Sequence, residues 1–355
     1  MSADGQFQLL CLGNPLLDIQ AGGDQALLDK YGLKSNDAIL AEEKHMGIYD
    51  DLFALHAKVI AGGAAQNSSR GAAYILPPDS VIYIGCVGKD DNAKKLESAC
   101  QAGGLKTLYR YDEDHPTGRC GAVITGHDRS LVTDLAAANH YKLEHLKSPE
   151  IWPYVENAEV FYVGGFHLTV CPPAILTLAE EAAKKNKIFA LALSAPFIAE
   201  FFKDALDETE PYWDYLIGNE AEAAAYAKSH DLNLTSVHDI AKHLATLPKK
   251  NTKRPRTVII TQGTDPTIVV TSDGKGDPQT REFPVHPVAA EEITDTNGAG
   301  DAFAGGLIAG ITQGDKLEKA IDMGHWLASL SIRELGPSYP FPKKIYGSKS
   351  ATYRG

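Results

Sequence analysis

Short apolar runs alternate with helical segments along most of the chain, and this alternation constrains the fold more than any other feature. The clearest runs cover residues 81–84, 160–163, 189–193 and 258–261, and a helical segment at 173–186 separates two of them. Strands that are apolar throughout need helices on both faces of their sheet. The pattern therefore predicts an α/β fold of three layers, with a central, mainly parallel sheet.

The first sixty residues depart from this rhythm. Residues from about 21 to 60 mix short helical and extended pieces, which predicts a small accessory layer inserted early in the chain. The length of 355 residues suggests roughly two folding units. We therefore expect a large α/β unit with a smaller one beside it.

Composition excludes several classes of protein. A formal net charge of −12 argues against non-specific nucleic-acid binding. The five cysteines are odd in number and widely spaced, which favours a reducing compartment over a disulfide framework or a zinc site. The sequence has no apparent signal peptide or membrane span, so we expect a cytoplasmic protein, with nuclear presence left open.

The basic run 249–256 suits a nucleic-acid patch or localisation signal, but a solvated loop is favoured in an acidic protein.

Residues 295–306 read DTNGAGDAFAGG and carry the strongest chemical signal. Glycines just before Asp301 predict a tight loop that opens a helix, and the free amides at such an end bind phosphate. A carboxylate there can accept a proton from a hydroxyl aligned on phosphorus. The alternative is a Gly-rich turn with Asp301 as an ordinary helix cap. No Walker A lysine follows, and the dinucleotide-binding pattern is absent.

Phosphoryl transfer also needs a metal and a positive charge near the phosphate. Asn219 and Glu222 are predicted to share the first turn of a helix, where they could hold magnesium through water. A simple N-capped helix explains the same pattern. Arg129 is the candidate phosphate clamp, although as a residue type it is better explained as a surface arginine in a hairpin turn.

The 295–306 segment resembles the C-terminal signature of the ribokinase-like (PfkB) family of carbohydrate and nucleoside kinases. Further pieces, in family order, resemble the branch of that family that phosphorylates adenosine. They are GNPLLDI (13–19), GGAAQNSSR (62–70), RSLVTDLAAANHY (129–141), GGFHLTV (164–170), LSAPFI (193–198), GNEAEA (218–223) and TQG (261–263).

The resemblance implies a large domain of about residues 1–15, 60–106 and 142–355, with a lid of about 16–59 and 107–141. It implies transfer of phosphate from ATP to the 5′-hydroxyl of adenosine, with Mg²⁺. A monovalent cation requirement is left open, and the resemblance leans to a monomer.

The resemblance also implies a role for each matching residue. Asp301 would be the base, Arg129 the clamp, and Gly298, Ala299 and Gly300 the anion hole. Asn219 and Glu222 would organise magnesium, and Asn219, Thr261 and Gly263 would lie near ATP. The nucleoside would be held by Asn14, Leu16, Asp18, Leu40, Gly63, Asn67, Leu131, Leu135 and Phe166.

Three positions depart from the family pattern, namely Ala64, His167 and Ala192. None of them is Asp301, so they bear on substrate detail more than on the reaction class.

Two alternative functions stay open. One is a related kinase of another nucleoside or of a sugar, and the other is a nucleoside-binding protein without turnover.

Overall fold

The computed structural model describes residues 7–35, 37–126 and 128–347, and within them a nine-stranded sheet forms the centre of the molecule. Seven neighbouring strands are parallel, and an antiparallel hairpin forms one edge. This confirms the predicted α/β class. Numbered along the chain, the strands lie in the order β14 (Gln279–Phe283), β13 (Asp265–Ser272), β12 (Arg256–Gln262), β11 (Tyr215–Asn219), β10 (Ile188–Ala192), β9 (Val160–Gly164), β1 (Leu9–Leu12), β5 (Val81–Gly88) and β6 (Lys106–Asp112).

Helices cover both faces of this sheet, which explains why its strands are apolar throughout. In β1, Leu9 and Cys11 join the core on one face, and Leu10 and Leu12 join the core on the other. The first face is covered by α3 (Ala64–Ile75), α4 (Asp91–Ala102), α12 (Ala299–Thr312) and α13 (Leu317–Ser331). The second is covered by α5 (Leu143–Leu146), α6 (Trp152–Asn157), α7 (Pro172–Lys185), α8 (Pro196–Phe201), α9 (Lys203–Thr209), α10 (Glu220–Ser229) and α11 (Val237–Thr246). Short 3-10 helices lie at Glu43–His45, Ala136–His140, Gly165–Thr169, Glu210–Tyr212 and Ala290–Glu292.

A second sheet of five mixed strands stands beside the first. Helices α1 (Gln25–Tyr31) and α2 (Ile48–Ala54) cover one of its faces with a separate apolar core that includes Leu28, Tyr49 and Val132. The other face contributes residues to a cavity shared with the large sheet. The strand order is β3 (Ala38–Leu40), β8 (Asp128–Asp134), β7 (Arg119–Thr125), β2 (Leu16–Gly22) and β4 (Lys58–Gly62).

Helices α3 and α12 pack unusually closely, and this contact positions the site described below. A side chain at Gly305 of α12 would put its Cβ 2.5 Å from the carbonyl oxygen of Ser68 in α3. Only glycine permits so close an approach of one helix to the backbone of another. The contact brings the first turns of the two helices together.

The basic run 249–256 is a loop as far as Pro255, and Lys250, Thr252, Lys253 and Pro255 are exposed. The expectation of a solvated loop is wrong for the two ends of the run, Lys249 and Arg256. Lys249 is ion-paired with the buried carboxylate of Asp214 at 2.5 Å. Arg256 is fully buried in the large domain core. Its guanidinium donates hydrogen bonds to the backbone carbonyls of Glu210, Trp213, Leu244, Leu247 and Pro248. Because buried polar groups require partners, these charges serve the fold rather than a nucleic acid.

None of the helices that the structure describes is both long enough and apolar enough to cross a membrane.

Candidate active site

A cavity of about 560 Å³ lies between the carboxyl ends of the parallel strands and the second sheet. Strands β1 and β9 are neighbours, and the chain connections run outward from them in opposite directions. Ligands of open α/β sheets bind in the crevice at such a reversal point. Gly13 and Asn14 after β1, Gly164 at the end of β9, and Asp18 of β2 all line the cavity. Its volume suits a small organic molecule.

The N-terminus of α12 forms one wall of the cavity. Gly298 caps the helix with a φ of 78°, and a Cβ there would lie 2.6 Å from that of Pro337. In the described part of the chain, the amides of Gly298, Gly300 and Asp301 have no hydrogen-bond acceptor, whereas Ala299 N–H donates to the Thr296 carbonyl. Three free amides at a helix N-terminus form an anion-binding surface.

Asp301 lies in the first turn of α12, and its carboxylate meets Asn67 of α3. The Nδ2–H of Asn67 donates to Asp301 Oδ2 at 2.9 Å. Burial raises the pKa of Asp301 to about 7, and the hydrogen bond from Asn67 partly opposes the rise. A carboxyl group with that pKa is poised to accept a proton near neutral pH.

A second buried carboxylate, Asp18, shares the cavity with Asp301. Burial raises the pKa of Asp18 to about 7, the negative charge of Asp301 adds to the rise, and Arg70 opposes it. Gly63 and Asn67 line the cavity with it. Acceptor and donor groups of this kind can bind neighbouring hydroxyl groups of a ligand.

Asn219 and Glu222 open α10 as a reciprocal cap. The Glu222 amide donates to Asn219 Oδ1 at 2.8 Å, and the Asn219 amide donates to Glu222 Oε2 at 3.0 Å. The sequence pattern thus forms an N-capped helix, and both residues also line the cavity. Burial raises the pKa of Glu222 to about 7, the Asn219 amide opposes the rise, and Asp301 adds to it. Thr261 lines the cavity as well, whereas Gly263 lies in the β12–β13 turn outside the lining set.

Arg129 is held in an ion pair and is not the exposed hairpin arginine that residue type alone favoured. Its Nε and Nη2 both donate to Asp295 Oδ1, at 3.1 and 2.8 Å. Asp295 also accepts a hydrogen bond from the Gly336 amide and has no exposed side-chain surface. The pair ties β8 of the second sheet to the loop before α12. Arg129 still lines the cavity, and its ion-pair partner Asp295 lies in the loop that leads into α12.

Apolar side chains form much of the remaining cavity lining. The five predicted apolar residues are among them, and sequence reasoning missed other lining residues. Among these, the ring of Phe197 lies 5.9 Å from that of Phe166. Phe197 belongs to the run LSAPFI. Pro196 begins α8 shortly after β10, and a helix start at the end of a strand was the signal that could have indicated Phe197 as a lining residue. The predicted set is Leu16, Leu40, Leu131, Leu135 and Phe166, and the missed set includes Ile39, Cys120, Thr133, Tyr162 and Phe197.

Comparison with known proteins identifies the family. The sequence model described as pfkB family carbohydrate kinase matches residues 25–344. The chain belongs to this family. The matched range includes the loop and first turn of α12, which hold Asp301 and the free amides.

Individual pfkB-family relatives match almost the whole chain. An adenosine kinase of Schizosaccharomyces pombe is 49% identical over 96% of this chain and 98% of that protein. Adenosine kinase 1 of Arabidopsis thaliana is 44% identical over 96% of this chain and 98% of its own length. The pfkB-family fold is also found in the solved structure of Anopheles gambiae adenosine kinase in complex with P1,P4-di(adenosine-5) tetraphosphate. That structure superposes with a TM-score of 0.91 at 45% identity, and covers 94% of this chain and 97% of that one.

Proposed function

We propose that this enzyme transfers the γ-phosphoryl group of ATP to the 5′-hydroxyl of adenosine, giving AMP and ADP in purine salvage. The observation that carries the proposal is the position of Asp301. Asp301 lies in the first turn of α12, where the free amides are, and the cavity is also lined by hydroxyl-binding groups and apolar side chains. Relatives that are 40–49% identical over nearly the whole chain are adenosine kinases.

The proposed roles follow from the chemistry of the lining residues. The apolar side chains accept the flat purine, and Asp18 with Asn67 binds the ribose hydroxyls. The 5′-oxygen attacks the γ-phosphorus while Asp301 accepts its proton, and the bond from the γ-phosphorus to the bridging oxygen breaks to release ADP. The amides of Gly298 and Gly300 bind the transferring group, whereas Ala299 needs a local shift to contribute its amide.

Arg129 supplies positive charge to the same phosphate in our proposal. In the structure its guanidinium is bound to Asp295, at the border of the cavity. It therefore has to exchange one carboxylate contact for a phosphate contact when ATP binds. A guanidinium can make that exchange without changing its protonation.

Magnesium fits the cavity beside Glu222. Among the described residues this carboxylate has no cationic partner, and burial raises its pKa, with the negative charge of Asp301 adding to the rise. Oxygen ligands of this kind bind hydrated Mg²⁺. Glu222 and Asn219 would hold the ion, largely through water, and the bound ion would neutralise phosphate charge. Thr261 would lie near ATP.

Three further features belong to the same proposal. The second sheet acts as a lid that closes over the nucleoside and excludes water. The predicted lid of about 16–59 and 107–141 is corrected at two strands, because β6 pairs with β5 in the large sheet and all of β4 belongs to the second sheet. The enzyme works as a monomer in the cytoplasm. Its activity does not need a zinc or redox cofactor, because the phosphoryl chemistry rests on positioning and charge.

Turnover tests the substrate and the base together. The protein is incubated with magnesium and ATP plus adenosine, guanosine or ribose, and ADP release is measured beside an Asp301→Ala control. We expect adenosine-dependent release that falls by several orders of magnitude in the control. Turnover only with ribose would favour a sugar kinase. Saturable adenosine binding without turnover for any acceptor would overturn the proposed reaction.

A further inference from the structure

His167 is a fully buried histidine next to the proposed nucleoside site. It lies in the 3-10 helix Gly165–Thr169 that follows β9, and the ring of Tyr141 packs edge-on against it at 5.1 Å. Its Nδ1 lies 2.7 Å from Oδ1 of Asn14, the residue that follows β1 and lines the cavity. The ring does not line the cavity itself, so any effect on a ligand must pass through Asn14.

The hydrogen bonds around Asn14 determine which atom faces which. Asn14 Nδ2 lies 3.2 Å from the carbonyl oxygen of Phe166. A carbonyl only accepts, so the amide nitrogen must face it and Oδ1 must face His167. Oδ1 also only accepts, so the hydrogen of the imidazole is on Nδ1. Burial lowers the pKa of His167 to about 3, which keeps the ring neutral at pH 7.

The result is an amide fixed in one orientation. One hydrogen of Asn14 Nδ2 is bound to Phe166, and the second has no acceptor among residues 7–35, 37–126 and 128–347. The backbone of Asn14 lies against Gly63, on the hydroxyl-binding side of the cavity, where a Cβ on Gly63 would be 2.3 Å from the Asn14 carbonyl oxygen. Its side chain lies against Phe166, on the apolar side. Asn14 thus lies between Gly63 and Phe166 in the cavity lining.

We propose that His167 is a positioning residue that fixes the Asn14 amide, so that its second N–H donates to an acceptor atom of the nucleoside where the ribose joins the base. The proposal rests on the proposed function, because it assigns the ligand of that site. Without the imidazole donor, Asn14 Oδ1 loses its partner and only the Phe166 carbonyl still holds the amide. The amide can then tilt about that one contact, and its second N–H is no longer held toward the acceptor atom of the nucleoside.

The expected effect is on nucleoside binding rather than on chemistry. Losing one neutral hydrogen bond weakens binding about 5- to 10-fold. Asn14 contacts the bound nucleoside away from the reacting phosphate, so its contact is equally strong in the ground and transition states. Such a loss raises KM for adenosine and leaves kcat nearly unchanged.

Two variants of similar size separate positioning from packing. His167→Asn keeps an N–H close to the place of Nδ1, whereas His167→Leu fills the same space without a donor. We expect His167→Leu to raise KM for adenosine about 5- to 10-fold, and His167→Asn to stay within about twofold of the wild type. KM for ATP and kcat should change little in either variant. The melting temperature of each variant is measured to register any packing loss.

A double-mutant cycle then tests whether the effect passes through Asn14. In an Asn14→Ala background, His167→Leu should cause no further rise in KM for adenosine. Equal rises in KM for the Asn and Leu variants, or unchanged KM in both, would overturn the proposal. So would full additivity with Asn14→Ala. If the wild type binds adenosine without turnover, the proposed reaction fails, and the same comparisons are made with Kd from calorimetry.

Discussion

The hydrogen bond from Asn67 to Asp301 should set the lower pH limit of activity, and replacing Asn67 by leucine tests this. Asp301 must be ionised to accept a proton, so activity is present above its pKa and is lost as pH falls through it. Asn67 lowers that pKa by donating to the ionised form at 2.9 Å. Asn67→Leu keeps the size of the side chain and removes the donor.

The size of the shift follows from the strength of that bond. A hydrogen bond to a charged group contributes about 1.5–3 kcal/mol. At about 1.36 kcal/mol per pKa unit, its loss should raise the pKa of Asp301 by about one to two units. Because the pKa of Asp301 is about 7 in the wild type, the acid limb of the pH–activity profile should move toward higher pH in the variant. The alkaline side of the profile should change little.

The assay is kcat/KM for adenosine between about pH 5.5 and 9.5, which reports the free enzyme. Ser68→Ala is the matched control, because Ser68 neighbours Asn67 on α3 and bonds to Tyr162 and the Ala64 carbonyl rather than to Asp301. Its acid limb should stay in place. An acid limb that is equally unmoved in Asn67→Leu would refute the assignment of that limb to Asp301.

Three further predictions concern Arg129, Asp18 and Arg256. Arg129→Ala should lower kcat about a hundredfold or more while calorimetric adenosine affinity changes little, and Arg129→Lys should rescue it only in part, since lysine lacks the planar fork. The raised pKa of Asp18 stabilises the fold below about pH 4 relative to neutral pH, and this contribution is lost as pH rises through about 7. Asp18→Asn should therefore raise the melting temperature at pH 8 by more than at pH 5, and an equal gain at both would contradict that pKa. Arg256→Leu should lower the free energy of unfolding in urea by about 5 kcal/mol, because five buried carbonyls lose their donor, whereas exposed Lys253→Ala should stay within about 0.5 kcal/mol.

The order of the apolar runs was sufficient to predict the layers of the fold. Strand β1 sends alternate residues to two separate apolar cores, which is why the run has no polar alternation. The strand β14 was not predicted, because Gln279–Phe283 is mostly polar and lies at an edge where burial imposes no pattern.

Charge pairing was harder to predict than secondary structure. The sequence could not place Arg129 against Asp295, since 166 residues separate them and either could equally have faced water. The same holds for Arg256. Its basic neighbours suggested an exposed position, but its guanidinium is bound by carbonyls at the end of α11 and in the segments that follow α9 and α11. Pairings of this kind depend on which loops the sheet brings together.

The sequence by itself determined the α/β class, the Gly-rich opening of α12 and the residue types available for phosphoryl chemistry. These follow from local rules, namely burial periodicity, backbone freedom at glycine and the free amides of a helix end. Only the tertiary structure decided that Asp18, Glu222 and Asp301 share one cavity. Burial raises the pKa of each to about 7, and the charge of Asp301 adds to the rise for Asp18 and Glu222. A pKa depends on distances and solvent exclusion across the whole fold, and neither is encoded in any one stretch of the chain.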